Sequence, residues 1–401
     1  MRFFKDMFRS ESSQDKFARI SLQALKASGW TRQVEYDSGN FEFRHPNQDG
    51  ELAVTYLGNT YREWLAAPDA EKDRVIQNFV SFIFEADSDL PIDDDALTRL
   101  LPILRSRADS LTDFGQPGDT FNYSRTTRPF CDNMLLMLVI DLEHGLAHLT
   151  DEQLDELGIS FDDALGVAIT NLHDMGNHIF DELEEGVFIS HCGDTYDASR
   201  ILLHDVIKQL PLKGNPVAII VDRSCILITG SEHQHGFARI AEIALESLPE
   251  ESRAISAAPI EMIFDQWHPF SCTYKDRFPL QRLLNYQQLW NYSSTQDLLQ
   301  KRIGDDIYIA SFCMIEGEGA SDSFASWAHD VRTVIPKVNA IVIEGNEQFP
   351  SITRKFDDVS YVCGPFELFE GTEFPPRYRL PDLIRSDQWM RLQDQFPDYK
   401  L

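Results

Sequence analysis

The turn Ser190-His-Cys-Gly-Asp-Thr-Tyr-Asp197 places a thiol, an imidazole and two carboxylates just before a segment with helical periodicity. A thiol at a helix N-terminus has a lowered pKa because the helix dipole stabilises the thiolate. Cys192 is therefore a candidate nucleophile. His191 is its neighbour, but adjacent residues of a strand point to opposite faces, so a Cys192–His191 dyad is disfavoured. His173 or His233 would then have to supply the base.

The same turn also has a structural interpretation. Asp194 is a candidate catalytic carboxylate, yet Asp194 or Thr195 equally suits the N-cap of the next helix, and Asp197 suits its first turn. A thiol in an apolar segment is most often a small core residue. Gly193 would supply a backbone conformation that a Cβ would strain. We favour the structural interpretation of this turn.

Histidines are concentrated in the middle of the chain, where imidazole could bind a metal ion. The spacing His233-Gln-His235 can direct two ring nitrogens at one ion. No acidic or thiol ligand stands at a defining offset from this pair, so we predict neither a metal site nor a cofactor. The alternative is that both side chains decorate a polar helix start. Eight of the eleven histidines belong to this central set: His144, His148, His173, His178, His191, His204, His233 and His235.

Two further segments have binding chemistry. The loop Glu316-Gly-Glu-Gly-Ala-Ser321 precedes a predicted helix, whose N-terminus could bind an anion, but its two glutamates disfavour phosphate. Ser321 or Asp322 is more simply an N-cap. The basic segment Phe374-Pro-Pro-Arg-Tyr-Arg379 could bind a partner, although pairing with the protein's own acids is favoured. The sequence contains no P-loop, dinucleotide-binding, zincin or nucleophile-elbow motif.

Charge and composition restrict the function. The chain has 401 residues and a formal net charge of -29, which repels phosphate backbones and argues against nucleic-acid binding. The acids either form solvated faces or dock a basic protein partner. No 18-residue apolar run predicts a membrane span, and the N-terminus does not resemble a secretory signal. The six cysteines are widely spaced, which indicates reduced thiols and a cytoplasmic location.

Periodicity predicts an α+β fold with three domains, 1–115, 121–260 and 261–401. The first combines an N-terminal helix with a three-stranded antiparallel meander, and a further helix over 93–106. The second has the order β-α-β-β-α-β from Val187, typical of a ferredoxin-like sheet, with hairpin strands 216–222 and 225–230.

The third predicted domain is an appended α+β unit. It contains a helix carrying Phe324, Trp327, Val331 and Ile335, and a strand at 360–363. The segment 109–127 is predicted to be an exposed linker, and 267–278 to be irregular.

Short segments between about residues 15 and 250 match a known family pattern. They are Leu57–Tyr61, Leu135–Asp141, Thr150–Leu154, Ala168, Asn171–Leu172, Gly193–Ser199 with Leu202–Leu203, and Leu227–Ser231. On these residues the chain resembles the YtpQ-like bacterial family, the domain of unknown function 1444 family, while the last 140 residues depart from it. The resemblance implies a fold and a bacterial context, but no substrate or cofactor.

These observations favour a non-catalytic binding or scaffolding protein. The alternative is a hydrolase or metal-dependent enzyme that uses Cys192, Asp194 and the histidines His173 and His191, or the pair His233 and His235.

Overall fold

The computed structural model describes most of the chain. The described residues are 12–38, 41–47, 50, 52–87, 95–108, 126–131, 133–142, 145–190, 192–247, 255–271, 278–304, 306–317, 320–328, 331–345, 349–372 and 374–400.

Helices and strands together confirm the predicted α+β class. Helices α1 to α10 span Ser13–Ala27, Gly58–Ala66, Lys72–Asp87, Asp151–Leu157, Phe161–Asp174, His204–Ile207, Gln234–Ser247, Phe278–Ile303, Phe356–Cys363 and Ser386–Gln395, with 3-10 turns at Ala96–Arg99 and Ala198–Leu202. Strands β1 to β21 span Glu35–Asp37, Glu42–Pro46, Leu52–Tyr56, Leu100–Ser106, Thr127–Phe130, Met134–Leu142, Gly145–His148, Phe180–Glu184, Val187–Ser190, Pro216–Asp222, Cys225–Gly230, Ile260–Ile263, Gln266–Pro269, Tyr308–Ile309, Cys313–Gly317, Ala320–Trp327, Thr333–Pro336, Ala340–Ile343, Ile352–Lys355, Glu367–Leu368 and Arg377–Arg379.

The chain divides into two compact units. Unit 1 comprises 1–101 and 139–168, and unit 2 comprises 102–138 and 169–401. The predicted boundary at 260/261 lies inside unit 2, because Leu280 and Leu283 of α8 share a hydrophobic core with α7 and the central sheet.

Unit 1 contains the predicted helix and meander. The Ser12 side chain accepts a hydrogen bond from the Asp15 N–H and caps α1. Strands β1, β2 and β3 form an antiparallel sheet in that order. Phe17 of α1 and Phe43 of β2 are completely buried and belong to one aromatic-rich core with residues of α3. Apolar stripes at helical spacing therefore pack onto one face of a small sheet.

The predicted helix over 93–106 is wrong. Residues 93 and 94 lie outside the described residues, and the rest forms a 3-10 turn and strand β4. Pro102 lacks a backbone N–H and disfavours the helical conformation of the residue before it. The neighbouring residues Leu100, Leu101, Ile103 and Leu104 are all buried, which is the pattern of a strand covered on both faces.

The sequence Thr150-Asp-Glu-Gln153 predicts a capping box at a helix start, and the structure confirms it. The Thr150 hydroxyl accepts from the Gln153 N–H, and the Gln153 side chain accepts from the Thr150 N–H. Helix α4 ends at Gly158, whose φ of 64° is left-handed. The following apolar face of α5 buries Phe161, Ala168 and Leu172.

The central part of unit 2 is a six-stranded antiparallel sheet in the order β13-β12-β10-β11-β9-β8. The hairpin β10–β11 has the predicted strand bounds. Helix α7 covers one face of the sheet, with Phe237, Ile240 and Ala244 inside. Strands β8 and β13 were not predicted, because charged residues dominate β8 and Phe264-Asp265 is an unusual turn sequence.

The ferredoxin-like arrangement is wrong for this sheet. In a ferredoxin-like unit the first and third strands are parallel, whereas β9 and β11 pair antiparallel here. A parallel pair requires a long crossover connection. Residues 198–207 form only a 3-10 turn and the four-residue helix α6, so the predicted helix cannot serve as that crossover.

The C-terminal part of unit 2 contains two further four-stranded sheets. One has the order β14-β17-β21-β20, and the other has the order β15-β16-β18-β19. Trp327 and Trp389 are completely buried in the same hydrophobic core.

Two predicted elements in this part are wrong. The predicted helix through Phe324 and Trp327 is strand β16, where every second residue from Ser321 to Trp327 is buried. The predicted strand at 360–363 belongs to helix α9, which buries Phe356, Val359 and Val362 at helical spacing. Short apolar runs of this kind fit either periodicity.

Two expectations concern other parts of the chain. The predicted linker 109–127 lies almost wholly outside the described residues. Among the residues that are described, no helix combines the length and the apolar composition needed to cross a bilayer.

His45 makes the stability of unit 1 sensitive to acid. The ring is 5% exposed, lies 5.1 Å from the Trp30 ring, and has Nε2 3.2 Å from the Thr55 hydroxyl. Burial lowers the pKa of His45 from its usual value of 6.5. As the pH decreases, the unfolded chain therefore binds this proton before the folded chain does. The unfolding free energy is unaffected by His45 above pH 6.5 and decreases as the pH falls below it. Urea unfolding at pH 7.5 and 5.5 should show that the unfolding free energy falls less between these two pH values in His45→Gln than in the unmodified protein. An equal loss of unfolding free energy in the two proteins would contradict this assignment.

Candidate functional site

The candidate turn forms a buried polar cluster between β9 and the 3-10 turn Ala198–Leu202. Gly193 has φ 74°, as the structural interpretation requires, and Thr195 also has a left-handed φ of 68°. These two bends fold the turn back, so that Asp194 and Asp197 face groups of their own segment rather than a long helix. We call Ser190, Cys192, Asp194, Asp197 and Arg200, together with His178, the Arg200 cluster.

Arg200 is at the centre of this cluster and is completely buried. Its Nη1 donates to Asp194 Oδ1 at 2.8 Å, and its Nη2 donates to Oδ2 at 2.5 Å. This two-pronged pairing is the strongest arrangement available to an arginine and a carboxylate. It holds the pKa of Asp194 below its usual value. The expected N-cap role of Asp194 is replaced by an ion pair, although Asp194 also accepts from the Tyr196 N–H at 3.0 Å.

His178 supplies a third acceptor for Arg200. The Nε of Arg200 donates to His178 Nδ1 at 3.2 Å, and His178 Nε2 donates to the His173 carbonyl at 2.9 Å. This pattern requires a neutral imidazole with its proton on Nε2, because Nδ1 must accept. His178 therefore orients the guanidinium.

Asp197 is also completely buried, so it is not the exposed first-turn charge that was expected. Its Oδ1 accepts from the Ser190 hydroxyl and, at 2.9 Å, from the Cys192 N–H. Its Oδ2 has no hydrogen-bond partner among the described atoms. The carboxylate thus fastens the end of β9 to the start of the 3-10 turn.

Cys192 does not have the electrostatics of a nucleophile. Burial raises the pKa of its thiol, and this outweighs the opposing effects of the Ile179 carbonyl contact and of Arg200. The Sγ lies 3.8 Å from the Ile179 carbonyl oxygen and 4.0 Å from the Ser190 hydroxyl. A reactive cysteine needs the opposite shift.

Of the remaining catalytic candidates, His173 lies beside this cluster. His173 Nε2 is 3.5 Å from Asp205 Oδ2, and its ring centroid is 5.4 Å from that of His178. His191 lies outside the described residues. Within the cluster, the Arg200 N–H donates to the Asp197 carbonyl at 3.0 Å, which links the Asp197–Cys192 contact to the Arg200–Asp194 pair.

The histidine pair lies at the start of α7. His233 packs against Gly186 and Gly236. A Cβ added at Gly186 would lie 2.8 Å from His233 Nδ1, and a Cβ added at Gly236 would lie 2.5 Å from it. His235 Nε2 instead faces Glu184, with 3.8 Å to Oε2. In the described part of the chain, no group of three histidine, cysteine or acidic side chains could hold a metal ion.

The two other binding candidates have structural contacts. The loop after Glu316 joins β15 to β16 and does not precede a helix; Glu316 accepts from Arg282 Nε at 2.7 Å. In the basic segment, Arg377 is buried and donates to the carbonyls of Ala310 and Tyr292 at 3.1 and 2.8 Å. Burial lowers the pKa of Arg377 to about 10. Arg377 therefore binds carbonyls, whereas Arg379 has the expected acidic neighbour, with 3.9 Å between its Nη2 and Asp382 Oδ1.

The hairpin β12–β13 carries a feature that sequence reasoning missed. Phe264 is 97% exposed and Asp265 follows it; their φ values of 48° and 63° make a two-residue turn. Such turns favour Asn-Gly, and a bulky residue there is unusual. The only sequence signal was the two-residue interval between apolar strands.

The Arg200 cluster and the hairpin tip are connected. The Trp267 indole donates to the Ile201 carbonyl at 3.0 Å, next to Arg200 in the chain. The Lys208 ammonium forms an ion pair with Asp265, beside Phe264. The segment that Arg200 holds in place thus contacts this hairpin at its turn and at Trp267, two residues beyond Asp265.

Comparison of the chain with protein-family models, with curated proteins and with solved structures found no significant match. The resemblance to the YtpQ-like family stays a prediction.

We expect Cys192 to react slowly with iodoacetamide at neutral pH, because the thiolate fraction of a thiol with a raised pKa is small. Site-resolved mass spectrometry would compare the folded and unfolded protein. Cys313 is a matched control, since it is also partly buried with a pKa raised by burial. Faster labelling of Cys192 in the folded protein than in the unfolded chain would contradict the structural role.

Proposed function

We propose that the protein acts by binding a partner protein, with Phe264 as an aromatic anchor that enters an apolar pocket of the partner. The exposure of Phe264 at the tip of a braced hairpin is the observation that carries this proposal. Large aromatic side chains that become buried on binding contribute disproportionately to affinity.

Two free-energy costs support a functional role for Phe264. A left-handed backbone costs an L-residue about 1–2 kcal/mol. A fully exposed phenylalanine also forgoes roughly 1.5–3 kcal/mol of burial free energy. Neither cost is recovered within the described contacts of the tip, whereas both are offset if a partner covers the ring.

The support beneath the tip favours binding by a preorganised element. Trp267 is 9% exposed and its indole hydrogen bond holds the strand directly after the turn, while Lys208 pairs with Asp265 at the turn itself. A rigid anchor loses little conformational entropy on association. The Arg200 cluster serves this support, which is why we favour scaffolding over catalysis by Cys192.

The net charge of -29 favours a partner whose contact surface has a basic rim. Complementary charge accelerates association and makes it sensitive to salt. We further propose a bacterial cytoplasmic location, supported by the family resemblance and by the free thiols at Cys192, Cys225, Cys313 and Cys363.

Replacing Phe264 should separate stability from binding. Asparagine tolerates the left-handed backbone conformation of this turn better than phenylalanine does. We therefore expect Phe264→Asn to raise the unfolding free energy by about 1 kcal/mol. The same change should weaken partner binding at least about tenfold, the size of a hot-spot loss. Urea unfolding measures the first effect. For the second, a photo-crosslinking amino acid at 264 would identify the partner, and titration of that purified partner would give the affinity.

Tyr361→Asn is the matched control, because Tyr361 is an aromatic residue with 75% exposure on helix α9. It should leave the affinity unchanged. Equal affinity of the Phe264→Asn protein and the unmodified protein would contradict the proposal. So would Phe264-dependent sedimentation with phosphatidylcholine vesicles, which would identify a lipid surface instead of a protein.

A further inference from the structure

The outer strand β3 in unit 1 has the sequence Leu-Ala-Val-Thr-Tyr and carries no charged side chain. It pairs with β2 on one side, and no described strand pairs with its other side. Leu52, Val54 and Tyr56 alternate along one face and are 69%, 40% and 37% exposed. The pleat places these three side chains together, opposite the core face that carries Ala53 and Thr55.

Three other outer strands of the described sheets are protected against pairing. Strand β1 carries Glu35 and Asp37. Strand β8 is rich in carboxylates and has a register shift between Glu182 and Glu184, while β13 ends in Pro269. Charges, bulges and proline are the usual means by which proteins prevent edge-to-edge association. Strand β3 has none of them.

We propose that β3 pairs antiparallel with β3 of a second copy of this chain, across a two-fold axis at Val54. In that register Val54 faces its own symmetry mate, and Leu52 of each copy faces Tyr56 of the other. Six apolar side chains then form one continuous stripe on a six-stranded sheet. A two-fold interface must be self-complementary, and an uncharged, β-branched strand meets that condition.

Charge allows two copies to pair through β3 and opposes their pairing through β1 or β8. Each chain carries a net charge of -29, so copies repel one another wherever acids meet. Pairing through β1 or β8 would place carboxylates opposite carboxylates, which is destabilising. At β3 the nearest charges on the same face are Arg44, Glu42 and Asp37, and these are already paired with one another at 2.7 and 2.8 Å.

The size of the contact determines its strength. A five-residue strand on each side is smaller than a standard interface of about 1,600 Å², so the dimer should be weak, with dissociation in the micromolar range. Added salt should strengthen it by screening the repulsion between the two acidic chains. If β3 instead bound a basic strand of another protein, added salt would weaken the binding. This inference is independent of the proposed role of Phe264.

Analytical ultracentrifugation over a wide concentration range tests the pairing. The unmodified protein should shift from monomer to dimer, more completely at higher salt. Val54→Lys puts two like charges face to face on the two-fold axis and should weaken association at least about tenfold. Val331→Lys is the matched control, since Val331 has the same 40% exposure, and it should associate normally.

Leu52→Lys is a second variant that loses little packing, because Leu52 is 69% exposed. It should also weaken the dimer while leaving the circular dichroism unchanged. Val54→Cys should form a disulfide-linked dimer under mild oxidation, because directly opposed Cα atoms lie within disulfide range, whereas Val331→Cys should not. A protein that stays monomeric at every concentration, or Lys variants that associate normally while folded, would overturn the proposal.

Discussion

The buried guanidinium of Arg200 is the constraint on which the central sheet of unit 2 depends. Removing this charge from water costs several kcal/mol, and only close, well-directed partners offset that cost. Asp194 supplies two acceptors and His178 supplies a third, so every nitrogen of the guanidinium points at a partner within 3.2 Å. The surrounding turn can therefore adopt few conformations, and Arg200 specifies its fold.

This constraint extends along the chain from the cluster. The 3-10 turn that carries Arg200 presents the Ile201 carbonyl to Trp267, and the next turn presents Lys208 to Asp265. The polar side chains of the Arg200 cluster, which resemble catalytic groups in type, thus support the hairpin β12–β13. The exposed aromatic residue at its tip has no such structural explanation, and the uncharged strand β3 in unit 1 is a second exposed apolar feature. In a chain of such strong negative charge, both are places where association is not opposed by repulsion.

The sequence predicted elements where one periodicity and one terminal signal agreed. Helix α1, the meander and the β10–β11 hairpin are examples, and the Thr150 capping box predicted a helix start correctly. Prediction from the sequence failed where a short apolar run fits both the helical and the strand period, as in strand β16. It also failed where Pro102 interrupts a pattern that was interpreted as a helix. The Arg200 cluster was only partly predictable. The sequence predicted the turn from Gly193. It did not predict that Asp194 pairs with Arg200, six residues further along the chain, or that His178 accepts from Arg200, because both contacts depend on tertiary structure.

The most direct test of this account is a double-mutant cycle on Asp194 and Arg200, followed by urea unfolding. Asp194→Leu leaves a buried guanidinium without its carboxylate and should cost about 3–5 kcal/mol. Arg200→Met should cost less, because the Asp194 side chain is 30% exposed and can be solvated. The double variant removes both charges and should lose less than the sum of the two single losses, by a coupling of about 1–3 kcal/mol. Additive losses without coupling would contradict the claim that this ion pair holds the turn.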